Sequence, residues 1–298
     1  MPIERVVVLN CDALEVMRIL HASSLVVGVC REVEKDRAFW GRLASLPIVG
    51  SWKRVNVEAI FRLHPDLVIA YGNNPGPELD RQMALLDLQL LRLNFYKIRT
   101  LLEEIKVLGK VLGREKRAAE YVRWFREKLV LIRNRIERLK GKRPRVYCEC
   151  YSDFIAVGPG SGSDEMCWMG GGDNIGRELS IPFARVSAEW VIGHNPQIIV
   201  KPTGGGRGYE RKDNSFFLHL RDEIARRRGF QEIDAVKKGR IYVIDSSIWT
   251  GPASIIGLGY LARWFHPALF KDIDPERWHK EYLERFQGIP YRGFYVSK

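Results

Sequence analysis

The sequence predicts an α/β protein built as two similar lobes joined by one long, rigid helix. Three observations carry that prediction. Apolar residues recur at Ala118, Val122, Phe125, Leu129, Ile132, Ile136 and Leu139, an unbroken alternation of four and three that marks one helical face. Strand-like and helix-like segments alternate on both sides of that stretch, as in an α/β layer with a mostly parallel sheet. A short pattern on one side also returns on the other in the same register.

The first lobe is expected over residues 1–113. Val6 to Leu9 reads as a strand, followed by Asn10-Cys11-Asp12 and a helix from Ala13 to Leu20. Val26 to Val29 is a second apolar run, and Pro47 to Trp52 a turn around Val49-Gly50. Val57 to Leu63 is a short helix stopped by His64-Pro65-Asp66. Leu67 to Tyr71 is a buried strand ended by Gly72-Asn73-Asn74-Pro75-Gly76. Glu78 to Leu86 is helical, Leu88 to Leu93 extended, and Thr100 to Leu112 helical, with Thr100 and Glu103 placed as a capping box.

The joining helix, within 114–140, runs from Glu115 to Leu139. No Gly or Pro lies between Arg114 and Lys140. Gly113 closes the segment before the helix, and Gly141 with Pro144 keeps it from continuing into the next. About 25 residues at about 1.5 Å each make a rod of roughly 37 Å.

The second lobe is expected over 141–298. It opens with a strand from Arg145 to Cys150 and a Gly-rich turn from Val157 to Gly162. Met166 to Leu179 reads as a helix holding Gly170-Gly171-Gly172 inside it or at its start. Val191 to His194 is helical, Ile198 to Lys201 a strand, and Thr203 to Gly208 a flexible loop. A helix from Phe217 to Arg226, a strand from Ile241 to Asp245, and helices from Ile255 to Phe265 and Pro275 to Phe286 complete it.

The repeat joins the two halves. Val55-Asn56-Val57-Glu58-Ala59-Ile60 leads to His64-Pro65-Asp66-Leu67-Val68-Ile69. Val186-Ser187-Ala188-Glu189-Trp190-Val191 leads to Asn195-Pro196-Gln197-Ile198-Ile199-Val200. One offset of 131 positions aligns the Glu, the Pro and the apolar pair without a gap. Each copy reads as a short helix, a proline turn and a buried strand.

The totals set bounds. A chain of 298 residues with 46% apolar content can build one large or two smaller cores. No run approaches the ~18 apolar residues of a membrane-spanning helix. The formal charge of +12 fits an anionic ligand or an anionic surface, although clusters such as Arg226-Arg227-Arg228 and Lys237-Lys238 also fit a solvated face. Basic patches interleaved with aromatics at the density a nucleic-acid binder needs are absent. Five irregularly spaced cysteines argue against a disulfide framework. Cys148-x-Cys150 places two thiols on one side of a strand, either a soft-metal pair or small buried hydrophobes. The six histidines show no close metal-ligand spacing. Gly158-Pro159-Gly160-Ser161-Gly162 is neither a Walker loop nor a GxGxxG fingerprint, and there is no Gly-x-Ser-x-Gly elbow or convincing triad.

Taken together, these residues resemble the extracytoplasmic solute-binding proteins of ABC importers for vitamin B12, iron-siderophores and haem. The resemblance runs through Arg5-Val6-Val7-Val8-Leu9, Pro47-Ile48-Val49-Gly50, Asn56-x-Glu58-x-Ile60 and Pro65-Asp66-Leu67-Val68-Ile69. It continues in Gly171-Gly172-x-Asn174-Ile175, Val186-Ser187-x-Glu189 and Gly239-Arg240-Ile241-Tyr242-Val243-Ile244. It implies two Rossmann-like lobes on one rigid helix, with a ligand cleft between the lobes. It also implies that a glutamate on each lobe, Glu58 and Glu189, docks onto arginines of the membrane permease. Two separated anionic points fix orientation on a basic partner. An acidic residue in a first helical turn also suits the helix dipole by itself.

Ligand contacts are expected from loops at the carboxyl ends of strands. That nominates Asn10, Cys11, Trp52, Tyr71, Gly72, Asn73, Tyr151, Arg207, Tyr209 and Trp249. The resemblance puts aromatics at Trp52, Tyr71 and Trp249, where flat rings offer contact area at low entropic cost. Core filling is the other role open to each Trp. Arg207 follows three glycines, so it can reach an anionic group or stay solvated.

The implied protein is a monomeric binding protein, not an enzyme, with no intrinsic cofactor and a metal chelate as its bound ligand. It is extracytoplasmic, in the periplasm or at the cell surface, and membrane-anchored through a leader outside this sequence. The alternative is a cytosolic metal- or tetrapyrrole-handling enzyme of chelatase-like fold. The unpaired cysteines favour that alternative, and the repeated glutamates disfavour it.

Overall fold

The computed structural model describes residues 2–204 and 208–297. Contacts divide the chain into two compact units, residues 1–125 with 281–290, and 126–280 with 291–298.

In the first unit the elements are, in order, β1 (Val6–Val8), α1 (Cys11–Ile19), β2 (Val26–Val29), α2 (Arg37–Trp40), α3 (Val57–Arg62), β3 (Leu67–Ala70), α4 (Glu78–Leu85), β4 (Leu90–Arg92) and α5 (Ile98–Val111). The strands form one parallel sheet in the order β2-β1-β3-β4. Every residue of β1 and β3 is buried, because helices cover both faces of a parallel sheet.

Helix α6 (Glu115–Glu137) is continuous for 23 residues and contributes to both units. Five positions of its apolar stripe are buried, Ala118, Val122, Phe125, Ile132 and Ile136 at 8% exposure or less, and Leu129 and Leu139 are half-buried. It stops two residues short of the expected Leu139. The first-unit part packs Tyr121 and Trp124 against Tyr282 and Phe286, with ring centroids 5.1 to 6.4 Å apart. These partners lie in the segment Glu281–Pro290, which belongs to the first unit although it comes after most of the second in sequence. In the second unit Arg135 forks onto Asp272 at 2.6 and 2.7 Å.

The second unit contains β5 (Arg145–Cys148), β6 (Ile155–Val157), α7 (Gly162–Met169), β7 (Asp173–Asn174), β8 (Phe183–Arg185), α8 (Ala188–His194), β9 (Ile198–Thr203), α9 (Ser215–Ala225), α10 (Asp234–Lys237), β10 (Ile241–Asp245), α11 (Ser254–Phe265) and α12 (Pro275–Glu281). Its parallel sheet has the order β10-β9-β5-β7. Numbered in chain order within its own sheet, each of the two sheets reads 2-1-3-4. Strands β6 and β8 form a separate antiparallel pair.

The shared frame extends to single hydrogen bonds. Asn56 Oδ1 accepts from the Ala59 amide at 3.0 Å to cap α3, and Ser187 Oγ accepts from the Trp190 amide at 3.1 Å to cap α8. Both helices lead into a left-handed residue, His64 at φ 44° and Asn195 at φ 42°. Arg5 donates to the Leu63 and His64 carbonyls, and Arg145 to the Asn195 carbonyl. Asp66 accepts from the Arg5 amide at 2.8 Å, as Gln197 does from the Arg145 amide at 3.0 Å. The turn between this helix and its strand is the same device twice.

Several expectations are corrected. Helix α5 begins at Ile98, so Thr100 lies inside it and makes no capping box with Glu103; its preceding residue, Lys97, gives no side-chain cap. The helix expected over Met166–Leu179 starts earlier, where Ser161 Oγ accepts from the Asp164 amide, and ends at the glycines. Gly171, at φ 88°, then turns the chain into β7. The helix expected to reach Phe286 gives way after Glu281 to a wider π-helical turn over Tyr282–Gln287. Cys148 lies buried in β5 with the Cys167 thiol as its neighbour, whereas Cys150 lies past the end of that strand and is half-buried. Among the described residues no helix is long and apolar enough to cross a membrane.

Candidate functional site

In the first unit, the carboxyl ends of β1 to β4 gather an aromatic rim. Tyr71 is its centre. It comes directly after β3, and its ring meets Trp52 edge-on at 6.0 Å and Tyr96 edge-on at 5.9 Å. All three rings are half-buried, so each keeps a solvent-facing part. The Tyr71 hydroxyl donates to Asp12 Oδ2 at 2.7 Å. Burial raises Asp12 to about 6, although the Tyr71 hydrogen bond works against the rise. Lys53 Nζ sits 4.7 Å from the Trp52 ring and Lys97 Nζ 5.7 Å from the Tyr96 ring, so two cations flank the rim.

The remaining first-unit candidates separate by burial. Asn10 is a buried cap of α1: its Oδ1 accepts from the Ala13 amide at 2.8 Å, and its Nδ2 is buried with no partner among the described residues. Cys11 starts α1 with its Sγ 3.8 Å from Cys30 Sγ, and that neighbouring thiol, with burial, holds the Cys11 thiol well above its ordinary range. The Gly72 amide donates to Asn94 Oδ1 at 3.0 Å, and a Cβ there would meet that oxygen at 2.9 Å, too close unless Asn94 shifts. Asn73 is exposed beside it. Asp12, Asn94 and Tyr96 join the rim without having been singled out by sequence. Tyr96 and Asn94 come after β4, so the carboxyl-end rule applied to the fourth strand finds them; Asp12 reads as a helix-dipole residue.

In the second unit the corresponding edge is ionic. Glu149, just past β5, is fully buried and accepts from the Tyr147 hydroxyl, the Phe154 amide, Lys201 and Arg227. Tyr151 is 45% exposed on the next loop, near Gly204. Thr203, the last residue of β9, is buried, and its hydroxyl has no partner among the described residues. Arg207 lies outside the described residues.

Two candidates turn inward. Trp249 is 1% exposed, and its indole nitrogen donates to Ser163 Oγ at 2.9 Å, so it fills the core instead of forming a wall. Tyr209 is also buried, with the Arg292 guanidinium 4.1 Å above its ring. A residue after a strand can point either way, and sequence position alone does not set the direction.

Glu58 and Glu189 occupy the same place in their units, the first turn of α3 and of α8, and both are exposed. Glu58 pairs with Arg62 at 2.6 Å. Glu189 is held below the usual carboxylate range by its own amide and the Ser187 hydroxyl. Among the described residues no three His, Cys, Asp or Glu side chains are grouped to hold a metal ion. A concavity of about 680 Å³, lined by Lys142, Arg143, Arg145, Trp168 and Asp173 among others, opens where β5 and β7 begin, away from these loops.

Known proteins match this chain over most of its length. A family profile described as "Periplasmic binding protein" matches residues 11–248. The vitamin B12-binding protein of Yersinia pestis (strain Pestoides F) is 31% identical over 153 residues, 51% of this chain and 54% of that protein. The match therefore spans about half the length of such curated relatives. Among solved structures, the TroA-like periplasmic binding protein FepB from Veillonella parvula superposes with a TM-score of 0.85 at 22% identity, covering 100% of this chain and 95% of that one. The molybdate-bound periplasmic binding protein MolA of Haemophilus influenzae gives 0.82 at 20% identity, covering 98% and 95%.

Proposed function

The chain belongs to the periplasmic binding protein family, and from that premise we propose that it is the extracytoplasmic solute-binding component of an ABC importer. It captures an anionic metal chelate or oxyanion and delivers it to a membrane permease. The observation that carries the reading is the duplicated cap–helix–turn–strand unit, which presents Glu58 and Glu189 on equivalent exposed turns. Two such anionic points orient a binding protein on a basic partner.

The ligand-side rims support the same reading. Trp52, Tyr71 and Tyr96 supply flat apolar area with two lysines beside it, which suits a large chelate with anionic character. Relatives bearing the names vitamin B12-binding protein and molybdate binding protein mark the range of solutes to test. The protein binds and releases without chemistry, works as a monomer, and carries metal only within its ligand. Family membership favours this over a chelatase-like enzyme.

A thermal-shift screen against ferric siderophores, haem, cobalamin, molybdate and tungstate tests the reading. A ligand at ~100 times its dissociation constant adds about 2.7 kcal/mol to the folded state. The expected result is one class of hit that Trp52→Ala abolishes. Silence across the panel would overturn the importer assignment. For docking, Glu58→Lys with Glu189→Lys is expected to abolish permease association while leaving ligand affinity unchanged.

A further inference from the structure

Four charged side chains meet where the chain leaves β5, and three of them are locked in place. The Glu149 side chain has no exposure, Lys201 has 6% and Arg227 12%, whereas Asp153 has 65%. Glu149 takes Lys201 Nζ at 2.7 Å and both Arg227 terminal nitrogens at 2.7 and 3.0 Å. The guanidinium is further held over Phe154 at 4.6 Å and Phe230 at 5.6 Å. Two buried cations face one buried carboxylate, so the core of the cluster carries one positive charge too many. An uncompensated charge in such a place is costly. Asp153 neutralises it from the solvent side: its Oδ1 lies 2.8 Å from Lys201 Nζ and 2.9 Å from an Arg227 nitrogen.

We propose that Asp153 is an internal stand-in for the ligand: its carboxylate occupies the seat of a ligand oxyanion, carboxylate- or phosphate-like, on Lys201 and Arg227, and swings aside when that group binds. The inference rests on reading the carboxyl-terminal edge of this sheet as ligand-facing. The exchange conserves charge, since one anion leaves as another arrives, and the buried pair of cations is never left bare. A neutral group gains nothing there, so the seat selects anionic ligands. Thr203 lies two residues beyond Lys201 on the same face of β9 and is buried, its hydroxyl without a partner among the described residues, a further donor for an incoming oxygen.

The test needs no knowledge of the natural ligand. Asp153→Ala is compared with wild type by thermal unfolding in chloride, then with rising acetate or phosphate at constant ionic strength. The expected result is a lower Tm for the variant, restored saturably by either anion, with little response from wild type. Citrate, followed by calorimetry, should bind Asp153→Ala about tenfold or more tighter, because a tethered competitor at millimolar effective concentration has been removed. Asp153→Asn should behave in the same way. An unchanged Tm, a loss that no anion restores, or an equal response from wild type would each overturn the proposal. Failure of the chelate screen alone would sink the importer reading and leave this seat standing.

Discussion

The two units are built on one frame and differ at its edge. Each has a four-stranded parallel sheet, a capped helix with a glutamate in its first turn, and a left-handed residue between that helix and the next buried strand. Beyond the strands the first unit offers rings, with Tyr71 between Trp52 and Tyr96, and the second offers charge, with Lys201 and Arg227 around Glu149. The frame is set by backbone hydrogen bonding and burial, which the repeated helix–turn–strand must preserve in both copies. The rim is free of that constraint, so there the copies have diverged. One rim supplies apolar area and the other countercharge.

The largest way to break this contrast is Lys201→Met. It leaves the buried Glu149 and the nearby Asp153 sharing one guanidinium. Removing one partner of a buried ionic cluster costs about 3–5 kcal/mol, so urea unfolding should show the midpoint collapse. A loss below about 1 kcal/mol would mean that the cluster is wet and that the second rim is no more ionic than the first.

Acidity should sharpen the contrast next. In the first unit, burial pushes Glu15 up to about 8 despite the hydrogen bond from the Tyr282 hydroxyl. A carboxyl raised in the fold keeps its proton there while the unfolded chain has lost it. Burying it is therefore harmless at acid pH, and stability falls as pH rises from the unfolded value towards 8. Between about pH 5.5 and 7.5 the loss is roughly 2–3 kcal/mol. Asp153 in the second unit has the opposite sign. Burial works to raise it, but Lys201 and Arg227 outweigh burial and hold it below the ordinary range. Its contribution is present above the unfolded pKa and is lost as pH falls through the depressed value. Glu15→Gln should therefore remove the decline between about pH 5.5 and 7.5, and Asp153→Asn should flatten the acid side. A Glu15→Gln profile that superposes on wild type would refute the first assignment.

Sequence reached the frame because the frame is periodic. The α6 stripe and the alternation of apolar strands with short helices come from burial, which leaves a pattern in the chain. The repeat at Glu58 and Glu189 is visible because cap, proline and strand sit within about a dozen residues. What escapes depends on direction or distance. Trp249 could face either way until Ser163 is seen to accept its indole N–H. Tyr282 and Phe286 meet Tyr121 and Trp124 from far along the chain, and no local pattern announces that return. Thr100 with Glu103 fits a capping box by spacing, yet the burial of Ile98 and Leu101 draws the start of the helix two residues earlier. Lys201 reads as a polar break at the end of an apolar strand until Glu149, Asp153 and Arg227 are brought to it.

A smaller effect belongs to the aromatic rim. Tyr71→Phe keeps the ring that meets Trp52 and Tyr96 but removes the donor to Asp12. A buried carboxyl losing one hydrogen bond costs about 1–2 kcal/mol at neutral pH, and Asp12 should titrate higher than about 6. Chelate affinity should change little if the ring is the contact. A tenfold loss of affinity with unchanged stability would instead make the hydroxyl a ligand group.

The smallest effects test the frame itself. Asn56→Ala and Ser187→Ala each remove one cap, from the Ala59 and Trp190 amides, and each should cost about 1 kcal/mol in urea unfolding. Equal costs are what a duplicated device requires, whereas a difference above about 1 kcal/mol would show that the copies share geometry without sharing energetics. Ser187→Ala carries a second readout, because the Ser187 hydroxyl is one of the groups that hold Glu189 low. Its loss should let Glu189 titrate closer to an ordinary glutamate, as followed by carboxyl NMR. The charge would still be present at neutral pH, so the proposed permease docking should survive Ser187→Ala, in contrast to the reversal of Glu189 together with Glu58. A docking defect in Ser187→Ala would place the recognition in the shape of the α8 cap and not in the charge it presents.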